Sequence, residues 1–131
     1  MPSGTFGITT SRTMQFVDIT ELIQQAVSSH DITEGVCILY NPHTTAGLTI
    51  NEGADPAVQA DLIAALRKMV PMDLAYQHQE GNSPAHLMAS LMGSSVMVLV
   101  AKGRLQLGTW QRIFFCEFDG PRSRKILWRL Q

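Results

Sequence analysis

Three histidines, His43, His78 and His86, are the side chains of this sequence best suited to chemistry, and each has a different local setting. His43 opens the polar stretch HTTAGLTIN, His78 lies in PMDLAYQHQEGN, and His86 closely follows a Ser-Pro pair. Neutral imidazole nitrogens bind metal ions, and three histidines that leave a fourth position open could hold zinc. The intervals between the three match no local metal-binding motif, so three unrelated histidines remain the alternative.

The Ser-Pro pair predicts a helix end that favours anions. Ser83 followed by Pro84 is typical of a helix start, and it places His86 in the first turn of a short helix. Free backbone N–H groups and the helix dipole attract phosphate to such an end, and the same field favours neutral imidazole at His86. Asn82, Ser83 and the amides that follow are therefore candidate anion ligands.

The stretch HTTAGLTIN alternates when it is read with a period of two. His43, Thr45, Thr49 and Asn51 then fall on one face of a strand, opposite an apolar face. If that face lines a site, Thr45 and Asn51 are candidate binding residues. The alternative is a strand that is solvated on one side, as half-buried strands usually are.

Two further segments carry charge in unusual places. In RIFFCEFDG, Glu117 shares a face with Ile113 and Phe115, and a buried carboxylate is costly unless it is paired. Glu117 either meets an arginine near a strand end or acts as an acid, a base or a metal-orienting group. In AKGRLQLGTWQ, Lys102 and Arg104 flank a turn, where they either contact a phosphate or are simply solvated.

The elements that must position these residues follow the order β, α, β, β, α, short α, then three or four β. Asp18 with Glu21 is a capping-box pattern before the first helix, and Asp55 with Pro56 predicts the start of the second, which Pro71 closes. Consecutive strands at the C-terminus favour an α+β fold with antiparallel or mixed sheets, two main helices and one short helix. We expect one domain over residues 1–131.

Composition narrows the class of protein. The net charge is −1, so the chain lacks the overall basic field typical of nucleic-acid binding. No apolar segment resembles a signal peptide or a membrane span, which indicates a cytoplasmic protein without membrane contacts. Cys37 and Cys116 lie in strand-like runs and form no CxxC motif, so we expect two unpaired thiols.

Four separated blocks resemble one family. SSVMVLVAKGRLQLGTWQRI is similar to the signature of the YjbQ-like proteins, in which a short apolar strand and a glycine precede GTWQ. HTTAGLTINEGADP, YQHQEGNSPAHL and EFDGPRSRK resemble three other blocks of that family, in the same order. The resemblance covers nearly the whole chain from about residue 5.

The resemblance implies a compact α+β sandwich, assembled as a homotrimer, with His43, His78 and His86 in one site. It also implies secondary thiamine-phosphate synthase activity, which joins phosphorylated pyrimidine and thiazole precursors of thiamine. On this basis the catalytic candidates are His43, His86 and Glu117. Anion-binding candidates are Thr45, Asn51, Asn82, Ser83, Lys102, Arg104 and Gln111.

A divalent metal ion, zinc or magnesium, is a candidate cofactor, with the three histidines as its candidate ligands. Magnesium prefers oxygen ligands, whereas imidazole nitrogens suit zinc, nickel or direct phosphate contact. Three functions therefore stay open: the synthase-like transferase, a metal-dependent hydrolase, and a non-catalytic module that binds a phosphorylated or anionic metabolite.

Overall fold

The computed structural model describes residues 1–131 and contains three helices and eight strands, all paired antiparallel. The helices are α1 Thr20–Ser29, α2 Pro56–Met69 and α3 Ser83–Met92. The strands are β1 Ser3–Thr9, β2 Gln15–Asp18, β3 Glu34–Tyr40, β4 Ala46–Glu52, β5 Ser95–Ala101, β6 Arg104–Leu105, β7 Gln111–Glu117 and β8 Ser123–Leu130. The predicted α+β class is thereby confirmed.

The strands form two sheets that pack face to face. One sheet has the order β1-β8-β3-β5-β6, and the smaller one has the order β2-β7-β4. The main core lies between them and joins side chains such as Leu39 and Ile126 of the large sheet to Leu48 and Phe115 of the small sheet. Helix α1 adds Ile23 to this core.

The small sheet is buried on both faces. On its second face, Phe114 and Phe118 pack against Leu66 of α2 and Met88 of α3 in a separate cluster. This double burial explains why every residue from Ile113 to Phe118 is inaccessible, including the charged one. Burying an aromatic or large aliphatic side chain stabilises the fold by about 1.5–3 kcal/mol.

Some predicted boundaries hold and others move. Asp55 caps α2 by accepting a hydrogen bond from the Ala57 amide at 2.9 Å, as the Asp-Pro pair predicts. The capping box before α1 is wrong: Asp18 accepts from the Thr20 amide at 3.0 Å without acting as the N-cap, and Glu21 pairs with Arg112 instead. Helix α3 begins at Ser83 and ends before Gly93, as predicted, and its ten residues match the length of α1.

Strand β4 starts at Ala46, three residues later than the alternation of HTTAGLTIN suggests. His43 and Thr45 therefore lie in the loop before the strand, and the polar strand face expected from the sequence does not form as one surface. Asn51 lies near the other end of the strand, where it is exposed. None of the helices is long and apolar enough to cross a membrane.

Candidate functional site

One cavity of about 370 Å³ brings the three histidines together, at the end of the sheets where β3 and β7 finish and β4 and β8 begin. Apart from one proline, every residue of its wall is polar. The wall is formed by Pro42, His43, Thr44, Thr45, His78, Glu80, Asn82, His86, Asp119, Arg122 and Arg124. We call this space the histidine cavity.

A buried asparagine fixes the loop that carries His43. Asn41 follows β3, and only 1% of its surface is exposed. Its side-chain carbonyl accepts a hydrogen bond from the His43 amide at 3.1 Å, and its side-chain amide donates to the Ala46 carbonyl at 2.6 Å. An asparagine side chain that bonds the backbone two residues on stabilises a tight turn. The turn holds His43 in the wall of the cavity.

The His43 ring is bonded in a way that determines its tautomer. Its Nε2 atom accepts a hydrogen bond from the backbone amide of Lys125 at 2.9 Å. The β3–β8 ladder ends at the pair Tyr40↔Leu127, so the Lys125 amide lies two residues beyond its end and donates to the imidazole instead of to a β3 residue. Because Nε2 is the acceptor, the neutral ring carries its proton on Nδ1. His43 can therefore donate a hydrogen bond from Nδ1.

The charge state of His43 follows from its surroundings. Burial lowers the pKa of His43 below its ordinary value, and the positive charge of Arg124 lowers it further. The Lys125 N–H group occupies the position where a second proton would have to sit. The ring is thus a neutral donor near pH 7.

Behind the histidine lies a buried ion pair. Glu117 is completely buried, and Arg124 is 7% exposed. One carboxylate oxygen of Glu117 accepts from Thr10 and from Arg124 Nε, both at 2.8 Å, and the other accepts from Arg124 Nη2 and from the amides of Phe118 and Asp119. Arg124 Nη2 also donates to the Thr45 hydroxyl at 2.9 Å.

These bonds define what Glu117 can do. Burial raises the pKa of Glu117, but the hydrogen bonds from Arg124 and Thr10 outweigh burial and hold it below the ordinary value. No imidazole is among its hydrogen-bond partners, so the carboxylate does not orient a histidine as expected. Glu117 meets an arginine near a strand end, which is one of the two roles that the sequence left open, and it holds Arg124 in place.

The opposite wall carries the other two histidines. The ring centroids of His78 and His86 are 5.2 Å apart, with the rings nearly perpendicular. Asp119 accepts from Arg122 Nη2 and from the Asn82 side-chain amide, each at 2.9 Å. Arg122 keeps unused N–H groups beside the cavity, because only its Nε and Nη2 atoms have hydrogen-bond partners.

The chain matches a known protein family. Residues 4–131 match the family described as UPF0047 protein YjbQ-like. The chain belongs to this family. It is 47% identical over 121 residues to a UPF0047 protein of Methanocaldococcus jannaschii, covering 92% of this chain and 88% of that one. The UPF0047 protein YugU of Bacillus subtilis is 46% identical over 121 residues, and 92% of each chain is covered.

Solved structures of relatives share the fold. A YjbQ/UPF0047-family protein of Clostridium acetobutylicum superposes with a TM-score of 0.95 at 48% identity, covering 97% of this chain and 98% of that one. A conserved hypothetical protein of Thermus thermophilus gives a TM-score of 0.90 at 43% identity, with 98% and 99% covered. The family's fold is therefore also that of this chain.

Only two of the predicted anion-binding residues, Thr45 and Asn82, belong to the wall of the histidine cavity. Ser83 does not line it. Asn82, not Ser83, is the N-cap. The amides of Ala85 and His86 donate to the Asn82 carbonyl, and Pro84 has no N–H group, so the helix end offers fewer free amides than the sequence suggests.

Four other predicted residues lie at the opposite end of the sheets. Asn51 pairs with Arg112, five residues along β4 from its first residue, which is roughly 17 Å at 3.4 Å per residue. Lys102 lies in the turn between β5 and β6, and Arg104 is the first residue of β6, both beyond the pair Glu34↔Ala101. Gln111 folds back on its own loop and accepts a hydrogen bond from the Gly108 amide at 2.8 Å.

Sequence reasoning missed Asp119, Arg122 and Arg124. The signal for Arg124 was present, because it shares a strand face with Ile126 and Trp128, both buried in the core. An arginine on an apolar face requires an acidic partner, and Glu117 on the apolar face of β7 was the complementary signal. Asp119 and Arg122 lie in a loop, where alternation gives no information.

Proposed function

We propose that the histidine cavity binds an anionic oxygen group, and that the ligand of this protein is a small phosphorylated metabolite. The observation that supports this most directly is the fixed Nδ1 donor of His43, which lies beside Arg122 and Arg124 in a polar cavity. A neutral donor and guanidinium groups suit phosphate oxygens, because preorganised N–H groups stabilise negative charge without reorganising. A volume of about 370 Å³ lies within the range of about 300–1,000 Å³ typical of ligand pockets.

The reaction that this site would support is thiamine-phosphate synthase-like transfer. The ring nitrogen of a thiazole phosphate attacks the methylene carbon of a pyrimidine diphosphate, the new C–N bond forms, and the C–O bond to diphosphate breaks. The leaving diphosphate takes the electron pair, so no proton transfer is required. Arg122 and the Nδ1–H group of His43 would stabilise the leaving group, whereas Glu117 would act only by positioning Arg124.

A divalent metal is the second candidate, as part of a hydrolase. The adjacent rings of His78 and His86 favour it, and Asp119 and Glu80 line the same cavity. No three His, Cys, Asp or Glu side chains are arranged to hold a metal ion in the single chain, and His43 Nε2 is already an acceptor. A metal would therefore bind His78 and His86, with His43 as a neighbouring donor, and no step above depends on it.

The homotrimer is part of the same proposal. The outer face of the large sheet exposes large apolar side chains, including Tyr40 at 50%, Met97 at 66% and Leu99 at 63%. Ile126, Trp128 and Leu130 face the core, so the C-terminal strand contributes Leu127 to this outer face. An exposed apolar patch of this kind is typical of an assembly surface. Light scattering after size exclusion should give three times 14.4 kDa, and a stable 14.4 kDa species would contradict the trimer.

Calorimetric titration with inorganic phosphate and with diphosphate tests the anion site. We expect wild type to bind, and Arg122→Ala to weaken binding at least tenfold, since charge-assisted hydrogen bonds contribute about 1.5–3 kcal/mol. Lys102→Ala removes a cation at the opposite end and is the matched control. Equal affinities for the two variants would contradict the assignment of the cavity.

Turnover separates an enzyme from a binding module. Incubation with the pyrimidine diphosphate and the thiazole phosphate should yield thiamine phosphate, detected by mass spectrometry, and Arg122→Ala should slow its formation. Titration with zinc and nickel, read by native mass spectrometry, tests the second candidate, and His78→Ala and His86→Ala should each lose the ion. Binding of phosphate without product would leave the module as the function.

Cytoplasmic location also belongs to the proposal. Cys37 and Cys116 are free and buried, and burial raises the pKa of the Cys37 thiol to about 11. Alkylation under denaturing, non-reducing conditions should modify both thiols. Modification of neither before reduction would contradict a reducing compartment.

A further inference from the structure

A second cavity, of about 380 Å³, adjoins the histidine cavity. It lies between the loop that follows β3 and the C-terminal half of α3, and its volume is within the range of about 300–1,000 Å³ typical of ligand pockets. Four of its nine wall residues, Pro42, His43, Thr44 and His86, also belong to the wall of the histidine cavity. We call this second space the hydroxyl lobe. Because the two spaces share these residues, a single ligand can extend from one into the other.

The two spaces differ in charge. The wall of the histidine cavity contains Glu80, Asp119, Arg122 and Arg124, whereas the wall of the hydroxyl lobe contains no aspartate, glutamate, lysine or arginine. A charged group that leaves water needs a counter-charge or several hydrogen bonds to offset its desolvation. The part of a ligand that enters the hydroxyl lobe is therefore uncharged.

Hydroxyl groups are the main polar groups of the lobe. Four of its nine wall residues carry one: Tyr40, Thr44, Ser90 and Ser94. Ser90 Oγ donates to the His86 carbonyl at 2.9 Å and can still accept, whereas the exposed hydroxyl groups of the other three make no hydrogen bond within the chain. A hydroxyl group both donates and accepts, so this wall matches the alcohol groups of a polyol or a sugar. An apolar ring would leave the same hydroxyl groups without partners.

Backbone contacts hold the two sides of the lobe at a fixed distance. The Asn41 amide, in the loop after β3, donates to the Ser94 carbonyl, just beyond α3, at 2.7 Å. The Leu48 amide donates to the Gly93 carbonyl at 3.0 Å, and a Cβ atom on Gly47 would lie 2.9 Å from the same oxygen. Gly47 thus permits an approach that a side chain would block. Since the walls are positioned without a ligand, binding does not have to order them.

We propose that the hydroxyl lobe binds the uncharged, hydroxylated part of the ligand whose anionic group lies in the histidine cavity. The bond between the two parts then lies beside His43 and His86, which belong to both walls. This inference rests on the proposed anion site and does not depend on which reaction follows there. It adds the class of ligand: a phosphate ester of a polyol or a sugar.

Calorimetry with four phosphate esters tests the proposal. Methyl phosphate reports the anion site alone, glycerol 3-phosphate and glucose 6-phosphate add hydroxylated groups of different size, and benzyl phosphate adds an apolar ring. We expect at least one of the two hydroxylated esters to bind at least tenfold more tightly than methyl phosphate, because a few neutral hydrogen bonds together contribute about that much. Benzyl phosphate should gain less than that ester.

Variants assign the gain to the lobe. Ser94→Ala removes one hydroxyl group and should weaken binding of the hydroxylated ester several-fold without changing the affinity for methyl phosphate. Ser90→Ala should act in the same direction, and alanine is well tolerated in a helix. Ser95→Ala is the matched control, since Ser95 is adjacent to Ser94 and also exposed but lies outside both walls.

The outcomes separate the two proposals. If methyl phosphate binds but neither hydroxylated ester reaches the tenfold gain, if benzyl phosphate gains as much, or if the three alanine variants behave alike, the inference is wrong and the anion site stands. If wild type binds none of the four esters, the anion site itself is wrong and the inference fails with it. Melting temperatures of all variants, measured in parallel, show that each is folded.

Discussion

The two ends of the sheets both carry charged side chains, but hold them in different ways. At the histidine end, Glu117 and Arg124 are buried and bonded to each other, to threonine hydroxyls and to backbone amides. At the opposite end, Arg112 bridges Asp18 at 2.7 Å and Glu21 at 3.4 Å, with about a third of its side chain exposed. Burying an ion pair is expensive, whereas a surface pair costs and contributes little.

This difference indicates where the chain needs rigidity. A buried pair with several additional hydrogen bonds is confined to one geometry, and it lies directly behind His43 and Thr45. The exposed pair at the opposite end can be lost without disturbing a cavity wall. An anion site at the histidine end requires a preorganised wall there, and the solvated charges at the other end lie outside such a site.

The largest expected difference between the ends is in stability. Glu117→Gln leaves the Arg124 charge buried without its counter-charge and should lower the free energy of unfolding by about 3–5 kcal/mol. Arg112→Met breaks the exposed pair and should cost about 0–1 kcal/mol. Urea denaturation of both variants measures this, and similar losses would contradict the contrast.

The same buried pair should give a smaller, graded effect with pH. The pKa of Glu117 is lowered on folding from an ordinary value of 4.5, so the unfolded state takes up the proton first. The stability that the pair contributes is present above about pH 4.5 and is lost as the pH falls below it. Urea midpoints should fall more steeply below that pH in wild type than in Glu117→Gln, and parallel curves would refute the linkage.

The N-caps of α2 and α3, Asp55 and Asn82, extend the comparison between the two ends of the sheets. Asp55 caps α2 near the far end of β4, and Asp55→Ala should cost about 1 kcal/mol. Asn82 makes no side-chain capping bond, and Asn82→Ala removes only its hydrogen bonds to Asp119 and Glu80, so it should cost no more than Asp55→Ala, while it weakens phosphate binding in the histidine cavity. Thermal unfolding gives the first comparison and phosphate titration the second. A larger stability loss for Asn82→Ala would show that the residue is structural.

Much of this arrangement was available from the sequence, because local patterns determine it. The cap at Asp55, the turn at Lys102 and Gly103, and the buried strand from Ile113 follow from residue type and periodicity. The element order gave the α+β class. The resemblance of four blocks gave the family and named the three histidines that line one cavity.

What could not be predicted depends on contacts between distant segments. The alternation of HTTAGLTIN extended a strand through His43, but the Asn41 turn and the bond from Lys125 hold that histidine in a loop. Lys102 and Gln111 were assigned to the site by residue type, although strand register places them at the other end. Register across sheets is set by tertiary packing, which local patterns do not encode.

The smallest expected effect concerns the ring protons of two histidines, His30 and His43, at opposite ends. His30 Nδ1 is 2.7 Å from the Ala26 carbonyl, and since a carbonyl only accepts, Nδ1 carries the proton there. His43 has the same tautomer for the opposite reason, because its Nε2 accepts from Lys125 at 2.9 Å. Nitrogen-15 NMR of the ring nitrogens should show Nδ1–H in both, and His30 serves as the reference.

The pH titration of His43 is the decisive part of this experiment. Burial and the charge of Arg124 lower its pKa from 6.5, so more than half of His43 should be neutral at pH 6.5, and its contribution to stability should be lost only as the pH falls below that value. Arg124→Met, if folded, should raise the pKa by removing the repulsive charge. A wild-type His43 that titrates above 6.5, or that carries its proton on Nε2, would remove the donor on which the anion site depends.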